Sequence, residues 1–189
     1  MPLTLDAIAH LFATQGGSQY SGEPVTQLEH ALQTAHLAEQ SGASPELITA
    51  CLLHDLGHLL NDQGETPSLR GIDDTHQYYA LPFLRGLFQE GVLDAIKLHV
   101  DAKRYLCQAR PGYHAKLSDD SKRSLQLQGG VFSAEEAAAF ITLPAAKDAV
   151  MLRQWDDLAK QEGWQTPTLT HFLDIAARCA LSQPAAASS

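Results

Sequence analysis

Apolar residues recur along this 189-residue chain at helical spacing, and no stretch sustains the alternation of apolar and polar positions that a strand requires. Leu28, Leu32 and Ala35 illustrate the pattern, because they share one face of a helix. The pattern predicts helices at about 3–14, 26–40, 45–60, 75–87, 90–107, 144–161 and 170–181, with two shorter ones after Ser118 and Ser133. No repeat or linker interrupts the series. We therefore expect one all-α domain over residues 1–182, followed by a disordered tail at 183–189.

Capping and breaking residues place the ends of several of these helices. Ser44 stands as an N-cap before Pro45, a residue favoured in the first helical turn. Ser133 and Glu136 have the spacing of a capping box. Pro82 predicts a kink or a restart within 75–87. Residues 62–74, rich in glycine and acidic side chains, predict a loop.

The charge of the chain excludes some classes of partner. It has 13 Lys and Arg against 22 Asp and Glu, a net charge of −9, whereas nucleic acids and anionic membranes require a basic face. Its three cysteines are widely separated, which indicates a reducing compartment. The N-terminus lacks the basic start of a signal peptide, and no apolar run approaches the roughly 20 residues of a membrane span. We expect a cytoplasmic protein without nucleic-acid or membrane partners; its oligomeric state stays open.

The strongest local signal for chemistry is the string Leu53-His-Asp-Leu-Gly-His58, inside the predicted helix 45–60. His54 and Asp55 differ by 100° around a helix and can both point into one interior site, and His58 follows His54 by one turn. Polar groups on an apolar helix need partners, since burying them unpaired costs several kcal/mol. The alternative interpretation is that these histidines belong to the core and are satisfied by hydrogen bonds.

Further candidate ligands lie on other predicted helices. Four imidazoles and two carboxylates from five helices can chelate two cations, with one carboxylate as a bridge, and mixed nitrogen and oxygen ligation suits Fe, Mn, Zn or Co. The candidate ligands are His30, His54, Asp55, His76, His99 and Asp156. Four histidines fall outside the pattern and are expected at the surface or in the ordinary core: His10, His36, His114 and His171.

The order of these ligands resembles the H…HD…H…H…D pattern of the HD-domain superfamily. Narrower strings resemble the PhnZ-type phosphonate oxygenases over residues 20–160. The strings are Tyr20-Ser-Gly-Glu23, Gln27-Leu-Glu-His30, Leu53-His-Asp-Leu-Gly-His58, Ala102-Lys-Arg-Tyr-Leu106, Leu117-Ser-Asp-Asp-Ser121, Gln128-Gly-Gly130 and Arg153-Gln-Trp-Asp156.

The resemblance implies a helical bundle with a buried dinuclear centre. It also implies a mixed-valent pair of iron ions, Fe(II)/Fe(III), and O2 as co-substrate. The reaction would cleave the C–P bond of a 1-hydroxy-2-aminoethylphosphonate or its trimethylammonio analogue, giving phosphate and glycine or glycine betaine.

Residue roles follow from the same resemblance. One iron would take His30, His54, Asp55 and Asp156, and the second would take His76 and His99, with Asp55 bridging. The phosphonate would be held by His58, Lys103, Ser121 and Arg153. Tyr20 would cap the second iron before the substrate arrives, and Glu23 would face its ammonium group. A catalytic role would fall to Tyr20, Glu23, His58 and Lys103.

Helical spacing agrees with part of this assignment. Lys103 follows His99 by one turn, and Arg153 precedes Asp156 by three residues, so a cation would stand beside each metal. Arg and Lys are the natural binders of a phosphonate dianion. Taken alone, Lys103 can also be a solvated lysine, Glu23 a surface acid and Tyr20 a packing residue.

Three other functions fit the ligand set. A phosphohydrolase of the same superfamily would use two divalent metals to activate water. An oxygenase of the inositol-oxygenase type would cleave a polyol, and a catalytically inactive HD module would act as a sensor. The amine end of the substrate also stays open, because the stretch Asp73-Asp-Thr-His-Gln-Tyr-Tyr79 offers carboxylates and rings that bind quaternary ammonium groups.

Overall fold

The computed structural model describes residues 2–20, 22–61, 67–73 and 75–181, and confirms the all-α class. Within these residues the α-helices are α1 (Leu5–Gln15), α2 (Gln27–Gln40), α3 (Pro45–Leu53), α4 (Leu56–Leu60), α5 (His76–Tyr79), α6 (Leu81–Leu84), α7 (Glu90–Ala109), α8 (Tyr113–Lys116), α9 (Asp119–Leu127), α10 (Ala134–Phe140), α11 (Ala146–Leu158) and α12 (Leu169–Cys179). A 3-10 turn covers Pro67–Arg70. The expected disorder at 183–189 lies outside the described residues.

The helix α3 forms the centre of the bundle. Every residue from 47 to 53 is buried, because α2, α7 and α12 all pack against this helix. The 20-residue helix α7 also packs along α11. This arrangement brings four long helices around one interior region, which is where a bundle can hold a buried site. None of the helices in the described ranges has the length and apolarity needed to span a bilayer.

The predicted caps account for several helix starts. The Ser44 side chain accepts a hydrogen bond from the backbone N–H of Leu47, with Pro45 in the first turn. Ser133 and Glu136 form the predicted capping box at α10. Pro82 lies in α6, which starts directly after α5, so the predicted restart within 75–87 is confirmed. The single turn α8 was not predicted.

The prediction of one continuous helix over 45–60 is wrong, because α3 ends at Leu53 and α4 starts at Leu56. Nδ1 of His54 donates to the backbone carbonyl of Cys51 at 2.8 Å. In a continuous helix that carbonyl would accept from the N–H of Asp55. Asp55 instead has φ −101° and ψ 10°, outside the helical region. The break therefore falls on the two residues that the sequence marks as candidate ligands.

Gly57 allows α4 and α5 to touch through their backbones. A Cβ at this position would lie 2.1 Å from the carbonyl oxygen of His76 and 2.8 Å from its Cα. Because backbone cannot move aside as a flexible side chain can, only glycine fits here. The close approach sets the position of His76 at the start of α5.

Replacing Gly57 by alanine is expected to push α5 away and to destabilise the protein by about 1–3 kcal/mol. His76 should move with α5, so metal content should fall as well. Thermal unfolding and metal analysis measure the two effects. Gly91→Ala on α7 is the control, since a Cβ there meets nothing within 4 Å. Equal behaviour of the two variants would contradict the packing role of Gly57.

Candidate active site

The structure brings all six candidate metal ligands together. They come from four helices and from the break between α3 and α4, and all six are buried. The ligands are His30 on α2, His54 and Asp55 in the break, His76 on α5, His99 on α7 and Asp156 on α11. Residues that are far apart in the sequence thus form one cluster in space.

Asp55 stands between two pairs of histidines. Its Oδ2 lies 3.5 Å from Nε2 of His30 and 3.3 Å from Nε2 of His54. Its Oδ1 lies 3.3 Å from Nε2 of His76 and 3.7 Å from Nε2 of His99. Each pair forms with Asp55 a group of three donor atoms close enough to hold one ion. One carboxylate therefore serves two neighbouring groups, the geometry of a bridging ligand.

Asp156 adds a second carboxylate on the side of His30. Its Oδ1 lies 3.4 Å from Nε2 of His30, and its Oδ2 lies 4.0 Å from Nε2 of His54. Asp156 is therefore placed with the first pair of histidines. The candidate ligands therefore divide into two groups, one of four and one of three, with Asp55 counted in both.

Backbone carbonyls fix the orientation of three of these imidazoles. Nδ1 of His30 donates to the carbonyl of Ala159 at 2.8 Å, and Nδ1 of His54 donates to Cys51. Nδ1 of His99 donates to the carbonyl of Ile96 at 2.6 Å. A neutral imidazole that donates from Nδ1 keeps a lone pair on Nε2, and here each Nε2 faces the cluster.

The donor set fits a metal cation. Oδ2 of Asp55 and Oδ1 of Asp156 are buried and accept no hydrogen bond from the described part of the chain. The imidazole lone pairs around them can bind a cation but cannot donate to a carboxylate. A buried group of imidazole nitrogens around two carboxylate oxygens that lack a hydrogen-bond donor suits a bound Fe, Mn, Zn or Co ion.

The pKa values of the cluster agree with this description. Burial alone would lower the pKa of His30, but Asp156 and Asp55 outweigh burial and raise it to about 9. Burial alone would raise the pKa of Asp55, but the imidazoles of His54 and its neighbours hold it well below its usual range. A proton and a metal ion thus compete for the same lone pair on His30, so metal binding releases a proton.

A cavity opens directly beside the cluster and encloses about 580 Å³ of empty space, counting the part open to solvent. Most of the residues proposed to bind substrate line it. Those on its wall are Tyr20, His58, Lys103, Ser121 and Arg153, together with Asp73, Asp120, Ser124 and Gln128. Glu23 is not on the wall that the described residues form. The four histidines placed outside the ligand pattern do not line it either.

Two buried cations lie on one wall of this cavity. Lys103 is 2% exposed and donates from Nζ to Oγ of Ser124 at 2.8 Å. Arg153 is 5% exposed, and its Nη1 lies 2.9 Å from Oδ2 of Asp156. Because neither is solvated, the interpretation of Lys103 as a surface lysine is wrong. The wall can bind a dianion next to the metal ligands.

Sequence reasoning missed the residues that hold Arg153. Its guanidinium bonds Asp157, lies 3.4 Å from the hydroxyl of Tyr113 and lies 3.4 Å from Oγ of Ser121. Tyr113 also donates to Asp157. Asp157 follows Arg153 by four residues, a helical spacing that could have identified it. Tyr113 lies on α8, the turn that was not predicted.

Tyr20 and Glu23 occupy a turn before α2. The ring of Tyr20 stacks on the ring of His30 with centroids 3.9 Å apart, and its hydroxyl bonds Asp55. Burial and the charge of Asp55 raise the pKa of Tyr20 well above its ordinary value, so its hydroxyl stays protonated. Glu23 instead pairs with Lys160, whose Nζ lies 3.0 Å from Oε1.

The pKa of Lys103 gives a testable pH dependence. Burial and the charge of Arg153 lower it to about 7. As the pH rises through 7, the free enzyme loses the charge on Lys103 and should lose affinity for an anion. Turnover of a phosphonate, measured as kcat/KM from pH 6 to 9, should therefore show a falling limb that is absent in Lys103→Met. An unchanged limb in that variant would assign the titration to another group.

The fold and the His/Asp cluster together define a metal protein of the HD class. The HD domain matches residues 28–129, more than half of the chain. The chain belongs to the HD-domain family. It is also similar to two curated phosphonate dioxygenases. One is the [1-hydroxy-2-(trimethylamino)ethyl]phosphonate dioxygenase (glycine-betaine-forming) of Leisingera caerulea, 38% identical over 92% of this chain and 89% of that protein. The other is the hydroxymethylphosphonate dioxygenase of Gimesia maris, 45% identical over 82% of this chain and 78% of that protein.

Proposed function

We propose that this protein is a di-iron dioxygenase that uses O2 to cleave the C–P bond of a 1-hydroxyphosphonate. The observation that carries the proposal is the position of Lys103 and Arg153 on the cavity wall beside a cluster bridged by Asp55. A metal centre and a buried anion site in one cavity suit a substrate that presents a phosphonate and a metal-binding oxygen together. The names of the two relatives support the same reaction.

The balance of the reaction requires no other co-substrate. The C1–P bond breaks, C1 is oxidised to a carboxylic acid, and one O2 takes up the four electrons and supplies two oxygen atoms. Hydroxymethylphosphonate would give formate and phosphate. The 2-amino and 2-trimethylammonio substrates would give glycine and glycine betaine, each with phosphate.

The six ligands are proposed to hold two iron ions, with Asp55 as the bridge. When bound, iron supplies a Lewis acid for the substrate's hydroxyl group and electrons for the activation of O2. His30, His54 and Asp156 would complete one site with Asp55, and His76 and His99 would complete the other. Nitrogen and carboxylate donors without thiolate are consistent with iron.

The chain's other residues bind and orient the substrate in this proposal. Lys103 and Arg153 neutralise the phosphonate, and Ser121 and His58 donate hydrogen bonds to it. His58 is suited to this role because its ring stacks on His76 at 4.2 Å and faces the cavity. Tyr20, protonated and bonded to Asp55, covers the centre until the substrate displaces it. In this proposal Tyr20, His58 and Lys103 also contact the reacting groups.

A phosphohydrolase of the HD family is the alternative, since the ligand set alone permits it. The two functions differ in their need for O2. Iron-loaded protein incubated with hydroxyphosphonates should consume one O2 for each phosphate released and should release none under nitrogen. Phosphate release that continues without O2, or turnover of a phosphate monoester in preference to the phosphonates, would establish the hydrolase instead.

A further inference from the structure

An ion pair within the chain closes the region behind Tyr20. Oε1 of Glu23 lies 3.0 Å from Nζ of Lys160, and both side chains are only 14% exposed. The same Nζ lies 5.7 Å from the centre of the Tyr20 ring, within the range of a cation–π contact. Glu23 is held close to Tyr20 by its backbone N–H, which donates to the Tyr20 carbonyl at 2.9 Å. The carboxylate of Glu23, behind Tyr20, is therefore already neutralised by Lys160 of the same chain.

The backbone is held in place on both sides of Lys160. The carbonyl of Ala159 accepts from Nδ1 of His30. The backbone N–H of Gln161 donates to Oε1 of Gln33 at 3.0 Å, and Nε2 of Gln33 donates to the Gln161 carbonyl at 2.7 Å. Gln33 is 1% exposed, so these bonds are buried. A lysine on backbone that a candidate metal ligand and a buried amide hold differs from a lysine on a mobile surface segment, whose ion pairs contribute little.

We propose that Lys160 is a specificity-determining residue. Tyr20 lines the cavity and Lys160 lies behind it, so once the substrate displaces Tyr20, Lys160 takes the position beside Glu23 that a cationic substrate group would occupy. The substrate it favours is a 1-hydroxyphosphonate without a cation at its carbon end, hydroxymethylphosphonate or a small uncharged homologue. This inference rests on the proposed function and names the substrate class for that site. A substrate with an ammonium group would have to break a largely buried ion pair and meet a like charge, which is how binding sites reject a competitor.

Among the described residues, two carboxylates outside the candidate ligands line the cavity, Asp73 and Asp120, and they differ in their partners. Asp120 lies 3.2 Å from the guanidinium of Arg123 and accepts from Ser68. Asp73 accepts from the backbone N–H of Thr75 at 3.3 Å and forms no salt bridge with a lysine or arginine in the described part of the chain. Asp73 is therefore the group that would bind an ammonium if Glu23 does not, and its variant belongs in the test.

The experiment compares kcat/KM of the iron-loaded enzyme for three substrates: hydroxymethylphosphonate, 1-hydroxy-2-aminoethylphosphonate and 1-hydroxy-2-(trimethylammonio)ethylphosphonate. The wild type should favour hydroxymethylphosphonate over the trimethylammonio compound by about 10-fold or more. Lys160→Met should raise the ratio of trimethylammonio to hydroxymethyl turnover by about 10-fold, because it exposes the charge of Glu23. Adding Glu23→Gln should cancel that gain. Lys147→Met, an exposed lysine with the same change in net charge, should leave the ratio unchanged.

Each failure has a distinct meaning. If the wild type releases phosphate from none of the three compounds in the presence of O2, the proposed function is wrong. If it turns over all three but favours the trimethylammonio compound, or if Lys160→Met leaves the ratio within twofold, the assignment of Lys160 is wrong. Loss of trimethylammonio turnover in Asp73→Asn alone would place the ammonium at Asp73 instead. The wild-type ratio decides the question even if the Lys160 variant fails to fold.

Discussion

Asp55→Asn is expected to lose both metal ions and to lower kcat by on the order of 10³-fold or more, since metal catalysis supplies several kcal/mol. Both oxygens of Asp55 face imidazole nitrogens, and an amide offers one neutral oxygen where two charged ones are needed. The substitution keeps the volume of the side chain, so the effect reports on ligation rather than packing. Metal analysis of the purified variant and O2 consumption measure the two losses.

The control for this prediction is Asp148→Asn on α11. Asp148 is exposed and lies away from the cavity, and its substitution makes the same change in net charge. It should keep the metal content and activity of the wild type. If Asp55→Asn keeps two ions per chain, Asp55 is not the bridge and the division of the ligands into two groups is wrong.

Lys103→Met is expected to separate anion binding from metal binding. Lys103 is not a ligand, so the variant should keep its metal. Its kcat/KM for a hydroxyphosphonate should nevertheless fall about 10- to 100-fold, because a hydrogen bond to a charged group contributes about 1.5–3 kcal/mol. Lys97→Met, exposed on the same helix, should behave as the wild type.

Arg153→Met should differ from Lys103→Met in one respect. The guanidinium of Arg153 bonds Asp156, so removing it should lower metal content as well as kcat/KM. Arg153→Lys keeps the charge but not the planar donor geometry. It should therefore retain part of the metal content and part of the kcat/KM. Wild-type efficiency in both Lys103→Met and Arg153→Met would exclude a phosphonate at this wall.

The cluster of six candidate ligands could be predicted from the sequence because the burial of polar side chains leaves them few alternatives. Histidines and aspartates at helical spacing on otherwise apolar helices must meet partners inside the fold. The helix caps at Ser44 and Ser133 were predictable for a similar reason, since each is a local bond within four residues. The comparisons confirm the resemblance that those residues indicated.

Features that depend on distant residues were not predictable. Glu23 and Lys160 are 137 residues apart in sequence, and no spacing rule joins them. The break between α3 and α4 depends on a bond from the His54 side chain to the Cys51 backbone, whereas the apolar periodicity of 45–60 continues across it.

The hydrogen bond from His30 to the backbone of Ala159 limits the ways in which this enzyme can be re-engineered. Because His30 uses a carbonyl, the side chain of the next residue, Lys160, can be exchanged without removing the bond that orients a metal ligand. If Lys160 determines substrate preference as proposed, single substitutions at 160 should change that preference. An insertion or deletion between Asp156 and Gln161 would shift that carbonyl and turn His30 away from the cluster. A library that varies residue identity here should yield active enzymes, and one that varies loop length should yield metal-poor ones.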